Sequence, residues 1–286
     1  MRIGILGASG VIGHALVPLL RQSGAQVRTA GRRPERMPAA DEFVFTDILQ
    51  PQTLSAAVED LDAVINLAKS VPDGKGRGSW AENDRICLAG TRNLVDALRA
   101  SNPDCRLIQQ SVAMLHQGSK LVDEYGELVG EGVLCSAIAM EATVQSSGLD
   151  WVIIRGSALY GPGTARDSRF FRSIAEGLLR PPLQRARWIT FVHLNDLASA
   201  FAQAPTLPGG QAYIAADDRP MTYRQMFDAI RGDACWDGCV VPAMQALPSF
   251  RVHSERLRGL GWCPIHQDAL RFAGASATTM REAVLA

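Results

Sequence analysis

Gly7-Ala8-Ser9-Gly10-Val11-Ile12-Gly13 follows the apolar run Arg2–Leu6 and precedes apolar residues at Ile12, Ala15, Leu16, Leu19 and Leu20. Glycines so placed permit a tight turn and let a pyrophosphate approach backbone N–H groups. The helix that follows turns the positive end of its dipole to the same spot. A strand–turn–helix unit of this kind takes a dinucleotide. The end of the next apolar run selects which one. A ribose 2′-hydroxyl is usually held by an Asp or Glu about 20 residues beyond the glycines. Here the chain reads Ala30-Gly31-Arg32-Arg33-Pro34-Glu35-Arg36. The acid is absent, and the guanidinium groups of Arg32 and Arg33 match a 2′-phosphate bidentately. NADP is therefore the expected cofactor, ahead of NAD; a solvated turn in an arginine-rich chain is the alternative.

The elements that position these residues are read from periodicity. Arg2–Leu6, Gln26–Ala30, Phe43–Phe45, Ala63–Asn66, Arg106–Gln109 and Trp151–Ile154 read as strands. The stretch from Val11 to Gly24, then Thr53–Glu59, Glu82–Ala100 and Val133–Ser147 read as helices. Strands alternating with helices mean a parallel sheet covered on both faces, an α/β doubly wound (Rossmann) fold. After Gly161 the pattern loosens. The expected division is a dinucleotide-binding domain over 1–158 with return segments at about 188–216, and a smaller substrate lobe from 159–187 and 217–286.

Composition narrows the function classes. The 286 residues are 47% hydrophobic and 20% charged, which excludes disorder. Lys+Arg and Asp+Glu are both 29, so the basic excess expected of a nucleic-acid or anionic-membrane binder is missing. No apolar run reaches the length of a membrane span, and the N-terminus reads as a strand rather than a secretory leader. Six cysteines without a leader point to reduced thiols and a cytoplasmic setting. Cys235 and Cys239, with Cys263 and His253 or His266, raise the thought of zinc, but no second matching pair follows and no metal is expected. The expected partner is a small molecule, not nucleic acid or membrane, with a homodimer as the candidate assembly.

GASGVIG, Phe45-Thr46-Asp47-Ile48, Val64-Ile65-Asn66-Leu67-Ala68, Gly90-Thr91-Arg92-Asn93-Leu94, Leu159-Tyr160-Gly161-Pro162-Gly163, Phe191–Ala198 and Gly259–Pro264 occur in that order. Together they resemble the short-chain dehydrogenase/reductase superfamily, specifically its extended and atypical branch, the NAD-dependent epimerase/dehydratase family. The resemblance implies that Asp47 and Ile48 border the adenine, that Leu67 and Ala68 border the adenosine and phosphates, and that Lys69 stands near the cofactor. It also implies a Tyr-x-x-x-Lys pair for proton transfer. The four tyrosines are followed four residues later by Val129, Thr164, Asp217 and Phe227, so the pair is absent. In the register set by Glu141, Val133 and Ala137 take its places. Ser111 matches the family's Ser/Thr position, and His116 follows a position often held by Tyr. These two are the candidate catalytic residues, with a strand-end hydroxyl capping a loop as the alternative for Ser111. Gly156, Ser157, Tyr160, Phe170 and His193 are the candidate substrate-pocket residues. Arg166, Arg169 and Arg172 could meet an anionic substrate or simply line an exposed helix. Three functions stay open: an atypical NADP(H) oxidoreductase acting on an apolar small molecule, a non-catalytic NADP(H) sensor, and a non-redox isomerase or lyase.

Overall fold

A computed structural model of the chain describes residues 1–72, 76–232 and 242–274. The strands are β1 (Arg2–Leu6), β2 (Gln26–Gly31), β3 (Glu42–Phe45), β4 (Ala63–Asn66), β5 (Arg106–Val112), β6 (Trp151–Gly156), β7 (Ala158–Tyr160), β8 (Trp188–Ile189), β9 (Phe191–His193), β10 (Gln211–Ala215) and β11 (Met221–Thr222). The helices are α1 (Val11–Gln22), α2 (Ser55–Val58), α3 (Trp80–Arg85), α4 (Thr91–Ser101), α5 (Cys135–Gln145), α6 (Ser168–Ala175), α7 (Leu194–Gln203), α8 (Tyr223–Arg231) and α9 (Glu255–Gly259).

Seven parallel strands form one sheet in the order β10-β6-β5-β4-β1-β2-β3. The central strands are nearly continuous apolar runs because both faces are covered. On one face Ile12, Leu16 and Leu20 of α1 pack with Leu197, Ala200 and Phe201 of α7. On the other, Leu94, Val95 and Leu98 of α4 pack with Leu54, Val58 and Val144. The strand order reverses at β1, whose Leu6 pairs with Ala30 on one side and Asn66 on the other. A crevice opens beyond the carboxyl ends of the strands at such a reversal.

Three elements differ from the periodicity reading in ways that shape the site. β5 runs on to Val112, because β6 continues beside it and pairs Ser111 with Arg155 and Val112 with Gly156. The helix expected over Glu82–Ala100 is split by a π-helical turn, Ile86–Gly90, between α3 and α4. The helix expected from Val133 begins at Cys135, after a tight turn at Gly132–Leu134.

Residues beyond β6 build a second core from Tyr160, Phe171, Phe191, Tyr223, Phe227 and Phe250. β7 pairs with β9, and β8 with β11, as two small sheets. The chain returns to the large sheet through α7 and β10. Among the described residues no helix is long and apolar enough to cross a membrane.

Candidate functional site

A cleft of about 660 Å³ lies at the β1/β4 reversal. Gly7, Ser9, Gly10, Val11, Ile12 and Gly13 form its floor. Gly7 has φ +79°, and a Cβ there would stand 2.6 Å from the Ala68 backbone nitrogen, so only glycine lets the two strand ends approach. Ala8 is fully buried under this turn rather than lining the cleft. No side chain caps the N-terminus of α1, and its first turn holds no acid. Its free N–H groups and dipole are thus left to an anion.

Arg32, Arg33 and Arg36 line one end of the cleft, with Asp47, Ile48 and Leu49 beside them. Asp47 Oδ1 accepts the Leu49 N–H at 3.0 Å, which folds this corner into a turn. Glu82 of α3 reaches in from the opposite wall, 4.0 Å from the Arg32 guanidinium. Gly90 allows the π-helical turn to lie against Ile48, where a Cβ would be 3.0 Å from its Cγ2.

Leu67, Ala68, Lys69, Ile86 and Gln110 form the other end. Lys69 Nζ contacts Cys87 Sγ at 3.1 Å and Met140 Sδ at 3.0 Å. Met140 lies three residues beyond Ala137 on α5 and also accepts from Gln109 Nε2 at 3.2 Å. Ala137 is buried and Val133 is exposed. The π-helical turn brings Cys87 under Lys69, a juxtaposition the uninterrupted helix expected from sequence would not have suggested.

Ser111 points elsewhere. Its hydroxyl donates to Glu141 Oε1 at 2.5 Å. Arg155 clamps that carboxylate with Nε at 3.1 Å and Nη2 at 2.6 Å. Nη1 of Arg155 meets His116 Nε2 at 3.1 Å and the Glu124 carbonyl at 3.3 Å. All four side chains are buried. Burial, then the Arg155 charge, pushes His116 down to about 4, so its ring is neutral at physiological pH. Ser111 and His116 are thus brought together, but around an internal ion pair. Gln110, the neighbour of Ser111, lines the cleft instead, since successive strand residues face opposite sides.

The candidate pocket residues spread over the junction with the lobe. Gly156 ends β6 against α7, where a Cβ would lie 3.1 Å from Leu197 Cδ2. Ser157 is buried with its hydroxyl unpartnered. Tyr160 is buried edge-on against Phe171, Phe191 and His193, and burial raises its phenol above the ordinary range. Phe170 is half-buried. His193 caps α7 by accepting the Asn195 N–H at 3.2 Å and stacks on His266 at 3.6 Å. Burial, then His266, pushes it down to about 4.

His193, Asp196 and His266 hold ligand-type atoms within 4.8 Å of one another. Both Asp196 oxygens, however, already accept the Ile265 and His266 N–H groups at 2.8 Å. The cluster ties the 264–266 segment to the first turn of α7. Cys87, Cys105, Cys135 and Cys263 are free thiols, while Cys235 and Cys239 lie outside the described residues.

Sequence reading missed Gln110, Arg36, Gly78 and Glu82 as cleft-lining residues. Arg36 was legible as a third guanidinium of the same turn. Glu82 and Gly78 carry no local signal, because a connection distant in sequence brings them to the cleft.

The family described as NAD(P)H-binding matches residues 7–173. A 3-diazoavenalumate denitrifying reductase of Streptomyces sp is 32% identical over 240 residues, 77% of this chain and 77% of that protein. A 3 beta-hydroxysteroid dehydrogenase/Delta 5-->4-isomerase of Mycobacterium tuberculosis is 24% identical over 93% of this chain and 76% of its own length. Among solved structures, the UDP-glucose 4-epimerase of Thermus thermophilus in complex with NAD superposes with a TM-score of 0.73 at 21% identity, covering 96% of this chain and 97% of that one.

Proposed function

This chain belongs to the NAD(P)H-binding family and shares the fold of the UDP-glucose 4-epimerase, and on that premise we propose that it is an NADP(H)-dependent reductase whose hydride acceptor needs no proton from the protein. The residues present fit the dinucleotide: an uncapped helix N-terminus for its pyrophosphate, and three arginines with no acid at Gly31 for a 2′-phosphate. Bound there, the reduced dinucleotide supplies a hydride. Lys69 and Gln110 offer N–H donors at the end of the cleft away from the arginines, and Ala68 and Ile86 wall that end with apolar surface.

The observation that carries the reading is the lack of a proton donor of the usual kind at that end. Among the described residues no tyrosine lines the cleft. Val133 and Ala137 bear no ionisable group, and the Ser111 hydroxyl is committed to Glu141. A carbonyl acceptor ends as an alkoxide that a general acid must protonate, help worth about 10²–10⁴-fold. A diazonium acceptor makes no such demand. The new C–H bond replaces the C–N bond, dinitrogen leaves with the bonding pair, and the product is neutral. The name of the 32%-identical reductase, which denitrifies a diazo compound, supports this acceptor class.

The test is NADPH consumption with an arenediazonium salt, with product analysed for deuterium. With C4-deuterated NADPH in ordinary water the product carries the label. With ordinary NADPH in heavy water it carries none. Solvent deuterium at the former C–N carbon, or no consumption, overturns the reading.

A further inference from the structure

Residues 159–187 hold six arginines against two acids, Asp167 and Glu176. Asp167 is already committed. Its Oδ1 caps α6, accepting the Arg169 and Phe170 N–H groups at 2.9 and 3.2 Å. Its Oδ2 takes the Arg169 guanidinium at 2.9 and 3.1 Å. Arg166, just before that cap, receives nothing from it. The Nε of Arg166 is buried without a hydrogen-bond partner, as is that of Arg172 on α6. Neither side chain forms an ion pair with a carboxylate among the described residues. Arg166 keeps part of its surface open, and burial lowers its guanidinium below the ordinary range, offset only by nearby Tyr223.

The loop that carries Arg166 borders the cleft. Its Gly163 faces Val11, the first residue of α1 and part of the cleft wall, where a Cβ would lie 3.7 Å from Val11 Cγ1. The Gly161 N–H donates to the Arg166 carbonyl at 3.1 Å, which closes the loop on itself. A cation withdrawn from water without a counter-charge works against folding. Its presence beside a binding cleft is accounted for by a ligand that brings the anion.

We propose that Arg166, with Arg172 as a second cation of the same loop–helix unit, receives a carboxylate of the substrate, so that the acceptor is an organic acid. The planar fork of Arg166 pairs with a carboxylate bidentately. Half-buried Phe170, edge-on to Phe171 at 5.1 Å, gives the acid's apolar body a surface nearby. The assignment rests on the hydride-transfer reading for the side of the cleft that substrate enters.

Calorimetry on the NADPH-loaded protein compares trans-cinnamate with cinnamamide, and the same titration is run without cofactor. Cinnamate is expected to bind about tenfold or more tightly than the amide, a preference that Arg166→Met removes. Because Arg166 has no carboxylate partner among the described residues, Arg166→Met is also expected to hold or raise Tm. Equal binding of acid and amide overturns the proposal, as does a preference that survives in Arg166→Met. A Tm loss of more than about 5 °C in that variant also overturns it, since Arg166 would then be a structural cation. Tighter binding of phenyl phosphate, lost in Arg166→Met, replaces the carboxylate with a phosphate and overturns the stated class. If NADPH fails to bind while Arg166 still separates cinnamate from its amide, the cofactor reading falls and this one stands.

Discussion

Replacing Glu141 with Gln separates a structural role for Ser111 from a chemical one. The substitution keeps shape and removes the charge. Arg155, only 3% exposed, then keeps the His116 ring, the Glu124 carbonyl and a neutral amide as acceptors. Removing one partner of a buried ion pair destabilises by about 3–5 kcal/mol, because the remaining charge is left uncompensated out of water. At roughly 2–4 °C per kcal/mol for a chain of this size class, the melting temperature of Glu141→Gln should fall by about 6–20 °C. The Glu141 side chain does not line the dinucleotide cleft, so NADPH affinity below the melting range should stay within about threefold. Ser111→Ala removes one charge-assisted hydrogen bond and should cost about 1.5–3 kcal/mol, and less in the Glu141→Gln background, since the two act on the same carboxylate. Melting followed by circular dichroism and NADPH titration by fluorescence read both quantities. A Glu141→Gln variant that melts like the wild type but loses NADPH affinity or turnover would refute the argument and return Ser111 and Glu141 to the chemistry.

Arg33→Ala should weaken NADPH by about 10–150-fold, the loss of one charge-assisted contact of ~1.5–3 kcal/mol, and leave NADH within about threefold in parallel fluorescence titrations; equal losses for both cofactors would move the 2′-phosphate elsewhere. His116 and His193 both have folded pKa values lowered to about 4, so each contributes stability that is present above about pH 6.5 and is lost as pH falls through about 4. From pH 7 to pH 5 the loss should be about 2 kcal/mol per ring, read by urea denaturation, and His116→Asn should remove its share of that slope. Asp217 runs the other way. Burial, offset by the Arg219 N–H, pushes it up to about 8, so its contribution is lost as pH rises from about 4 through about 8. Asp217→Asn should therefore melt higher than the wild type at pH 8 and show no such gain at pH 4, and a gain that is the same at both pH values would contradict the assignment.

Two kinds of feature were legible in the residues alone. The first is local. Gly7 to Gly13 between a strand and an amphipathic helix places a turn and an uncapped helix start together, because both follow from a few consecutive residues. The parallel sheet follows similarly from the alternation of apolar runs with helical periodicity. The second is absence. No acid ends β2, and no tyrosine has a lysine four residues on, whatever the fold does. Tertiary structure decided which way the side chains near the chemistry face and what they meet. Ser111 turns to Glu141, and Gln110 to the cleft, because β6 runs far enough to carry β5 on to Val112, and a strand gives alternate residues to opposite faces. Lys69 meets Cys87 and Met140, 18 and 71 positions away, only because a π-helical turn and α5 converge on the end of β4. Among the described residues Arg166 is without a counter-ion, because the adjacent Asp167 caps a helix and binds Arg169. Burial periodicity is a property of short segments and is written in them. Which distant charge compensates another depends on where whole elements pack, and residue spacing does not carry that.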